Sequence, residues 1–336
     1  MLVTKEEVFE RFWYLVMPIA QMLEQPKSFE LLGQKLVLWS DDAGKITVAS
    51  DRCCHCSAQL SKGKVINNNI VCPYHGRQYD GQRVCVKVPQ LEKSSQIPKT
   101  YQIKTYPSQE SYGYIWVCLD EPLNEIPDIT EASDPNFRLI PEFYETSHRA
   151  GLRVIENEFD LAHPTFVNTT TFGSEERPIP DAVEVSETDY CITGTAVLGV
   201  VNPEQQQQNL KMNEEITTRN LDLDWYLPFT CKLRINYPNG LVHIIVNTAT
   251  PINDSSFQIV QFCLRNDTEA ETKAEDVVAF DCEASRRHRA VTLEDRAVLE
   301  TTDYNVPLDL KQEQHMMTDK PGILMRKKLS RLIESR

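Results

Sequence analysis

No apolar run in this 336-residue chain approaches the roughly 20 residues that a helix needs to cross a bilayer. The longest, such as Phe12 to Leu23, stop at about twelve, so a membrane-spanning helix is not expected. The N-terminus lacks the basic stretch of a secretory signal, since Glu6, Glu7 and Glu10 stand ahead of that apolar run. A cytoplasmic protein is expected. A disulfide framework is missing too: ten Cys are spread through the chain and only those between 53 and 56 cluster. Cys118, Cys191, Cys231 and Cys263 fall in apolar or strand-like runs and read as reduced core residues. Excess positive charge is absent, and a net charge of −14 argues against a nucleic-acid partner. There are no internal repeats, and length alone favours two domains.

What the chain does have is two short clusters, Cys53-x-His55 and Cys72-x2-His75, each at a turn between strand-like segments. Two thiolates and two imidazoles in this arrangement suit a [2Fe-2S] centre in which one iron takes both Cys and the other both His. Such a centre passes single electrons, and neutral imidazole in place of thiolate raises its potential. A structural zinc site uses the same ligand types. Zinc knuckles, however, usually repeat a C-x2-C half, whereas both halves here end in His and the second reads CPYHG. Cys54 and Cys56 read as unligated neighbours pointing away.

These stretches resemble the Rieske signature. Respiratory Rieske proteins carry an extra Cys in each loop, and Tyr74 stands where the second loop would need it, so the resemblance is to the oxygenase branch. Arg52, Lys62, Lys64, Arg77 and Arg83 surround the loops and read either as a patch for an acidic ferredoxin or as solvated loop charge.

An N-terminal helical stretch leads into short alternating segments, 35–39, 46–49, 84–88 and 114–118, which read as an antiparallel β domain. The division expected is an N-terminal domain over 1–120 with its core about 12–120, a Pro- and acid-rich linker over 121–145, and a second domain over 146–336. The second region opens on a helix near Ile155 to Phe166. Strands are expected over Cys191 to Val201, Trp225 to Tyr237, Gly240 to Thr250 and Phe257 to Arg265. A helix from about Thr272 to Thr302 follows, and a last one at Ile323 to Ile333 puts Met325, Leu329, Leu332 and Ile333 on one face. The layout is α+β. Gln205 to Gln208 and Asn168 to Asp181 read as exposed loops.

Within the 155–166 helix, Asn157, Asp160 and His163 form a polar stripe, while Ile155, Phe159, Ala162 and Phe166 form the apolar one. With this stripe, the whole chain resembles the Rieske non-haem iron oxygenases, in particular α subunits related to vanillate demethylase. The matching stretches are FWY at 12–14, LLGQKLVLW at 31–39, LSKGK at 60–64, CPYHG at 72–76 and N-x2-D-x2-H at 157–163. The resemblance implies an all-β Rieske domain with the cluster on Cys53, His55, Cys72 and His75. A helix-grip, START-like antiparallel-sheet domain carrying a mononuclear ferrous iron would follow it.

His163 would be one iron ligand, and a late-helix carboxylate would complete a facial triad. Asp295 fills that place, in a segment where Glu294 and Glu300 read as solvent-facing and Val291, Val298 and Leu299 as apolar neighbours. Five residues after His163 the family has a second His, and this chain has Asn168. An amide oxygen is a weaker donor than imidazole for such a metal. Asn168 or a water fills that position, or His243 does, or the iron site is empty. Cys56 and Arg77 also stand where the family commonly has Arg and Trp.

By the same resemblance, Asp160 would link a cluster His of a neighbouring subunit to His163 in a homotrimer, with Asn157 beside it. Electrons would come from a ferredoxin or a flavin-dependent reductase. The enzyme would use O2 to hydroxylate or oxidatively demethylate a small organic substrate, with loops 168–182 and 202–215 as lids. The alternative is a protein that keeps the cluster but has a degenerate iron site, acting in electron transfer or ligand binding.

Overall fold

The computed structural model describes all residues except 24, 93, 172, 174, 176–183, 203–212, 215, 267–287 and 336. The chain divides into two compact units. One is Val3–Ile126 with Pro251–Asp254, and the other is Met1–Leu2, Pro127–Thr250 and Ser255–Arg336.

The first unit is built from short strands. These are β1 (Tyr14–Pro18), β2 (Lys27–Leu31), β3 (Gln34–Ser40), β4 (Ile46–Ser50), β5 (Lys64–Ile66), β6 (Asn69–Val71), β7 (Gln78–Tyr79), β8 (Cys85–Lys87), β9 (Thr105–Tyr106), β10 (Ser108–Ser111) and β11 (Tyr114–Val117). They form three sheets in the orders β1-β11-β10, β2-β3-β4-β9 and β5-β6-β7-β8. The expected N-terminal helix is absent: two 3-10 turns, Val3–Lys5 and Glu7–Arg11, lead directly into β1. Tyr14, Leu15, Val16 and Met17 are all buried, and an uninterrupted apolar run suits a fully covered strand as well as a helix.

Between β5 and β6, Asn67 and Asn68 both take positive φ, +49° and +68°. That is the left-handed pair a two-residue hairpin requires, and Asn tolerates it better than most residues. The hairpin leads into Cys72. Beneath the loops, Val37, Trp39, Leu60, Ile70, Tyr79 and Ile103 pack with Cys53 and Cys72 in one core.

The second unit centres on a seven-stranded sheet. Its strands are β12 (Arg138–Ser147), β13 (Glu184–Glu187), β14 (Cys191–Val201), β15 (Ile216–Tyr226), β16 (Thr230–Asn236), β17 (Val242–Pro251) and β18 (Phe257–Arg265), in the order β12-β18-β17-β16-β15-β14-β13. Part of the expected linker is therefore strand, because β12 pairs along its length with β18, Arg138 opposite Arg265 and Ser147 opposite Phe257. The single strand expected over Trp225 to Tyr237 is a hairpin, with Tyr226 paired to Thr230 across Leu227-Pro228-Phe229. Pro228 has no N–H to give a continuing ladder.

Helix α1 (Gly151–Phe159) buries Leu152, Val154, Ile155 and Phe159. Its first residue packs so closely on the sheet that a Cβ there would lie 2.1 Å from Cε1 of Phe257, which only Gly permits. After a short α2 (Pro164–Val167), a helix α3 spans 288–299 and α4 spans Lys320–Glu334. Residues 272–287 of the expected long helix lie outside the described residues. Within α4, Met325 and Leu329 are buried as expected, but so is Arg326. Its guanidinium is held by Glu156 of α1 at 2.5 Å and by Glu313 at 2.6 Å, so α4 is clamped to α1 by charge as well as by apolar contact.

Candidate cluster and metal sites

The two Cys/His stretches fold into loops with the same backbone pattern. The N–H of Cys53 donates to the carbonyl of Ala58 and the N–H of Ser57 to that of Cys53; the N–H of Cys72 donates to Arg77 and that of Gly76 to Cys72. In both, the residue four after the Cys has positive φ, Ser57 at +58° and Gly76 at +69°. Asp51, buried, accepts Ser61 N–H at 2.7 Å and Ser61 Oγ–H at 2.6 Å, tying the chain beyond the first loop to its base.

This folding brings the Nδ1 atoms of His55 and His75 to 3.2 Å. Two nitrogens bound to one metal at about 2.1 Å stand roughly 3 Å apart. Cys53 and Cys72 are buried while His55 is exposed, so the sulfur side faces the core and the imidazole side faces outward. The donor set fits a [2Fe-2S] centre. Tyr79 Oη lies 3.1 Å from Cys53 Sγ and 3.2 Å from Cys54 Sγ, and burial with these two thiols pushes its pKa well up.

Two side chains differ from expectation. Cys56 does not point away: its sulfur lies within 4.8 Å of ligand atoms of both His55 and His75. Arg77 belongs to no surface patch, being buried over the Tyr101 ring at 4.6 Å, with Nη1 3.9 Å from Cys54 Sγ. Arg52, Lys62, Lys64 and Arg83 are exposed.

In the second unit the expected single helix over 155–166 is broken. Asp160 adopts an extended conformation at the end of α1 and its Oδ1 accepts the N–H of Ala162 at 2.8 Å. Asp favours such local side-chain bonds over helix, and Pro164 has no N–H to continue the ladder. The break folds the polar stripe onto itself. His163 Nε2 lies 3.3 Å from Asn157 Nδ2 and its Nδ1 lies 3.8 Å from Asp160 Oδ2. Phe166, expected on the apolar stripe, is 61% exposed.

Helix α3 brings Asp295 to this point, with Oδ1 3.6 Å from His163 Nε2. Asn168 is fully buried, and its Nδ2 donates to Asp295 Oδ1 at 2.9 Å and to Glu294 Oε2 at 3.2 Å. Glu294 is thus not solvent-facing; it also accepts the hydroxyls of Thr170 and Thr171. Val298, expected on an apolar face, is 47% exposed. Burial raises the Asp295 pKa against the lowering effects of His163 and the Asn168 amide. Glu158 is raised to about 7 by burial and by the Asp295 charge.

Among the described residues, Asn168 Oδ1 and His163 Nδ1 are buried without hydrogen-bond partners. An imidazole nitrogen, a carboxylate and an amide within a few ångströms are a donor set a ferrous ion can use, with the amide the weakest of the three. The position beside His163 and Asp295 is taken by Asn168. His243 instead hydrogen-bonds Tyr237 through Nδ1 at 3.3 Å and meets the His288 ring at 5.9 Å. His288 lies seven positions, about 10 Å, before Asp295 on α3. Its Nδ1 is 2.5 Å from Glu142 Oε1 on β12, which fixes the start of α3 to the sheet. Nothing in the sequence marked Glu142.

Residues 12–107 match the Rieske [2Fe-2S] domain family, and residues 150–335 match the vanillate O-demethylase oxygenase C-terminal domain family. The chain belongs to the Rieske non-haem iron oxygenases. Methylxanthine N1-demethylase NdmA of Pseudomonas putida is 25% identical over 344 residues, covering 98% of this chain and 91% of the relative. The structure of P. putida CBB5 NdmA with caffeine superposes with a TM-score of 0.82 at 24% identity, covering 98% of this chain and 93% of that one. Dicamba monooxygenase bound to 3,6-dichlorosalicylic acid gives 0.82 at 20% identity, covering 98% of both chains. As a Rieske oxygenase, the protein is an oxidoreductase that uses O2 and reductase-supplied electrons. The alternative of a degenerate iron site serving electron transfer or ligand binding is not favoured. Among the described residues, no helix is long and apolar enough to cross a membrane.

Proposed function

We propose that this Rieske oxygenase hydroxylates or oxidatively demethylates a small organic substrate, with residues 1–120 receiving electrons and residues 146–336 carrying the oxygen chemistry. The observation that supports it most is the convergence of His163 Nε2 and the Asn168 amide on Asp295 Oδ1, at 3.6 Å and 2.9 Å. When bound, the [2Fe-2S] cluster supplies single electrons and the ferrous ion supplies oxygen activation.

Cys53, His55, Cys72 and His75 hold the cluster, and His163, Asp295 and Asn168 hold the iron. Glu294, with Thr170 and Thr171 behind it, fixes the plane of the Asn168 amide. Asp160 has one oxygen committed to the Ala162 N–H and the other facing His163, with capacity left to accept an imidazole N–H. In a cytoplasmic homotrimer that imidazole would be a cluster His of the adjacent subunit. Asn157, beside His163 Nε2, orients the ring. An acidic ferredoxin or flavin-dependent reductase would dock near Arg52, Lys62, Lys64 and Arg83. The proposed lids lie mainly outside the described residues.

Metal analysis tests the assignment. About three irons per chain are expected, two with the cluster and one at His163. His163→Ala and Asp295→Ala should each remove about one without changing the visible spectrum of the cluster. If neither variant lowers iron content, these residues do not hold a metal.

A further inference from the structure

The flank of α3 carries a cation that the proposed oxygenase machinery does not use. Arg149 is 4% exposed, and among the described residues its Nε and Nη1 have no hydrogen-bond partner. The hydroxyl of Ser147, a residue 2% exposed, is likewise without one. Both line a small cavity of about 20 Å³ between β12 and α3, with Arg289 and Arg296 on its α3 wall.

Within the lining of this cavity the cations outnumber the carboxylates. Glu145 is the carboxylate in its lining, and it is already engaged by Arg289 and, at 4.0 Å, by Arg296. Arg296 also pairs with Glu300 at 2.6 Å. Asp295, Glu158 and Glu300 temper the field at Arg149 without hydrogen-bonding its orphaned nitrogens. A buried guanidinium left in this state is costly, because its desolvation is not repaid by a partner. Buried polar groups that lack partners call for an explanation, and a bound ion is a common one. Within the lining three guanidiniums and a hydroxyl face one carboxylate, and the orphaned Arg149 nitrogens and Ser147 hydroxyl are donors that an anion can satisfy.

We propose that Ser147, Arg149 and Arg296 form a binding site for a compact monovalent anion, either a halide or one oxygen edge of a carboxylate. The volume decides the size class, since about 20 Å³ exceeds what a single water needs but is far less than a drug-sized ligand occupies. The Arg149 nitrogens and the Ser147 hydroxyl supply the donors, and Arg296 supplies charge beside Asp295.

The test is calorimetric titration of the full chain, cluster intact, dialysed into gluconate, with chloride in one series and formate in another. One saturable site per chain is expected for at least one of the two. Chloride alone assigns a halide site, and formate assigns a carboxylate site. Ser147→Ala should weaken binding about 10-fold, the loss of one hydrogen bond to a charged group, and Arg149→Gln should abolish it. Arg149→Lys, which keeps the charge, should retain weaker binding and guards against a fold lost in the Gln variant. No saturable heat with either anion, or an affinity unchanged in Ser147→Ala and Arg149→Lys, overturns the proposal.

Discussion

Asn168→His is the most informative substitution in this protein, because it should move metal affinity and fold stability in opposite directions. Asn168 is fully buried and donates to two carboxylates, Asp295 at 2.9 Å and Glu294 at 3.2 Å. An imidazole that ligates through one nitrogen keeps a single N–H, so one of these charge-assisted bonds is lost, at about 1.5–3 kcal/mol. Its larger ring adds an overpacking cost of about 1–3 kcal/mol in a site with no exposed margin. The metal-free variant should therefore be less stable by about 2.5–6 kcal/mol. Metal affinity should rise. Exchanging an amide for imidazole in the inner ligand set should matter at least as much as losing a supporting hydrogen bond, which costs about 10- to 100-fold. That is about 1.4–2.7 kcal/mol of binding.

Cobalt(II) titration, read by its visible bands after subtraction of the cluster spectrum, measures the affinity directly. Chemical denaturation of the metal-free protein measures the cost. A gain in affinity with a loss in metal-free stability is the expected pair. If a folded variant with unchanged cluster content binds cobalt no more tightly than the parent, then Asn168 does not face the metal and its assignment as ligand is wrong.

Other substitutions probe the frame around the sites. Gly76→Ala forces a side chain onto φ +69°, with its Cβ 3.1 Å from Pro89 Cγ; iron and sulfide content at the cluster should fall while far-ultraviolet circular dichroism of the remainder persists. Gly151→Ala drives a methyl into the Phe257 ring and should cost about 2–3 kcal/mol in urea unfolding. Arg326→Met removes one of the two guanidiniums, Arg326 and Arg153, that hold Glu156 and Glu313, and should destabilise by about 1–3 kcal/mol in urea unfolding. For Glu158 the sign follows from proton counting: between pH 4.5 and about 7 the folded state holds a proton that the unfolded state has released. Metal-free stability should thus fall as pH rises through that window, by about 2 kcal/mol, and Glu158→Gln should flatten the dependence in denaturation curves taken at pH 5 and pH 7.

Strand placement was most legible where alternation or a dense apolar run was the only signal. Cys191–Val201 and Phe257–Arg265 stand where the residues indicate. One missed strand, Ile216–Tyr226, also alternates, with Leu221, Leu223 and Trp225 buried between Asn220, Asp222 and Asp224. Its acids on the outer face interrupt the apolar signal, although a strand exposed on one face carries charge there freely. The N-terminal run failed for the opposite reason. Continuous apolar residues carry no period, so Tyr14–Pro18 could not be told from helix without its partner β11.

The sites were legible in their ligand types and not in what holds them. Cys53, His55, Cys72 and His75 announce themselves because cluster chemistry admits few side chains, whereas Arg77, sequestered over Tyr101, reads in sequence like any loop cation. On α3 the distinction between Asp295 and Glu294 rested on helical neighbours, and it failed for Glu294 because its partners, Asn168, Thr170 and Thr171, are more than a hundred residues away. Asn168 looked in sequence like a lost ligand. In the fold it bridges two carboxylates, one facing His163 and the other braced by two threonine hydroxyls. The surroundings of Asn168 hold its Nδ2 on two carboxylates and leave its buried Oδ1 without a partner, the orientation that an amide ligand needs.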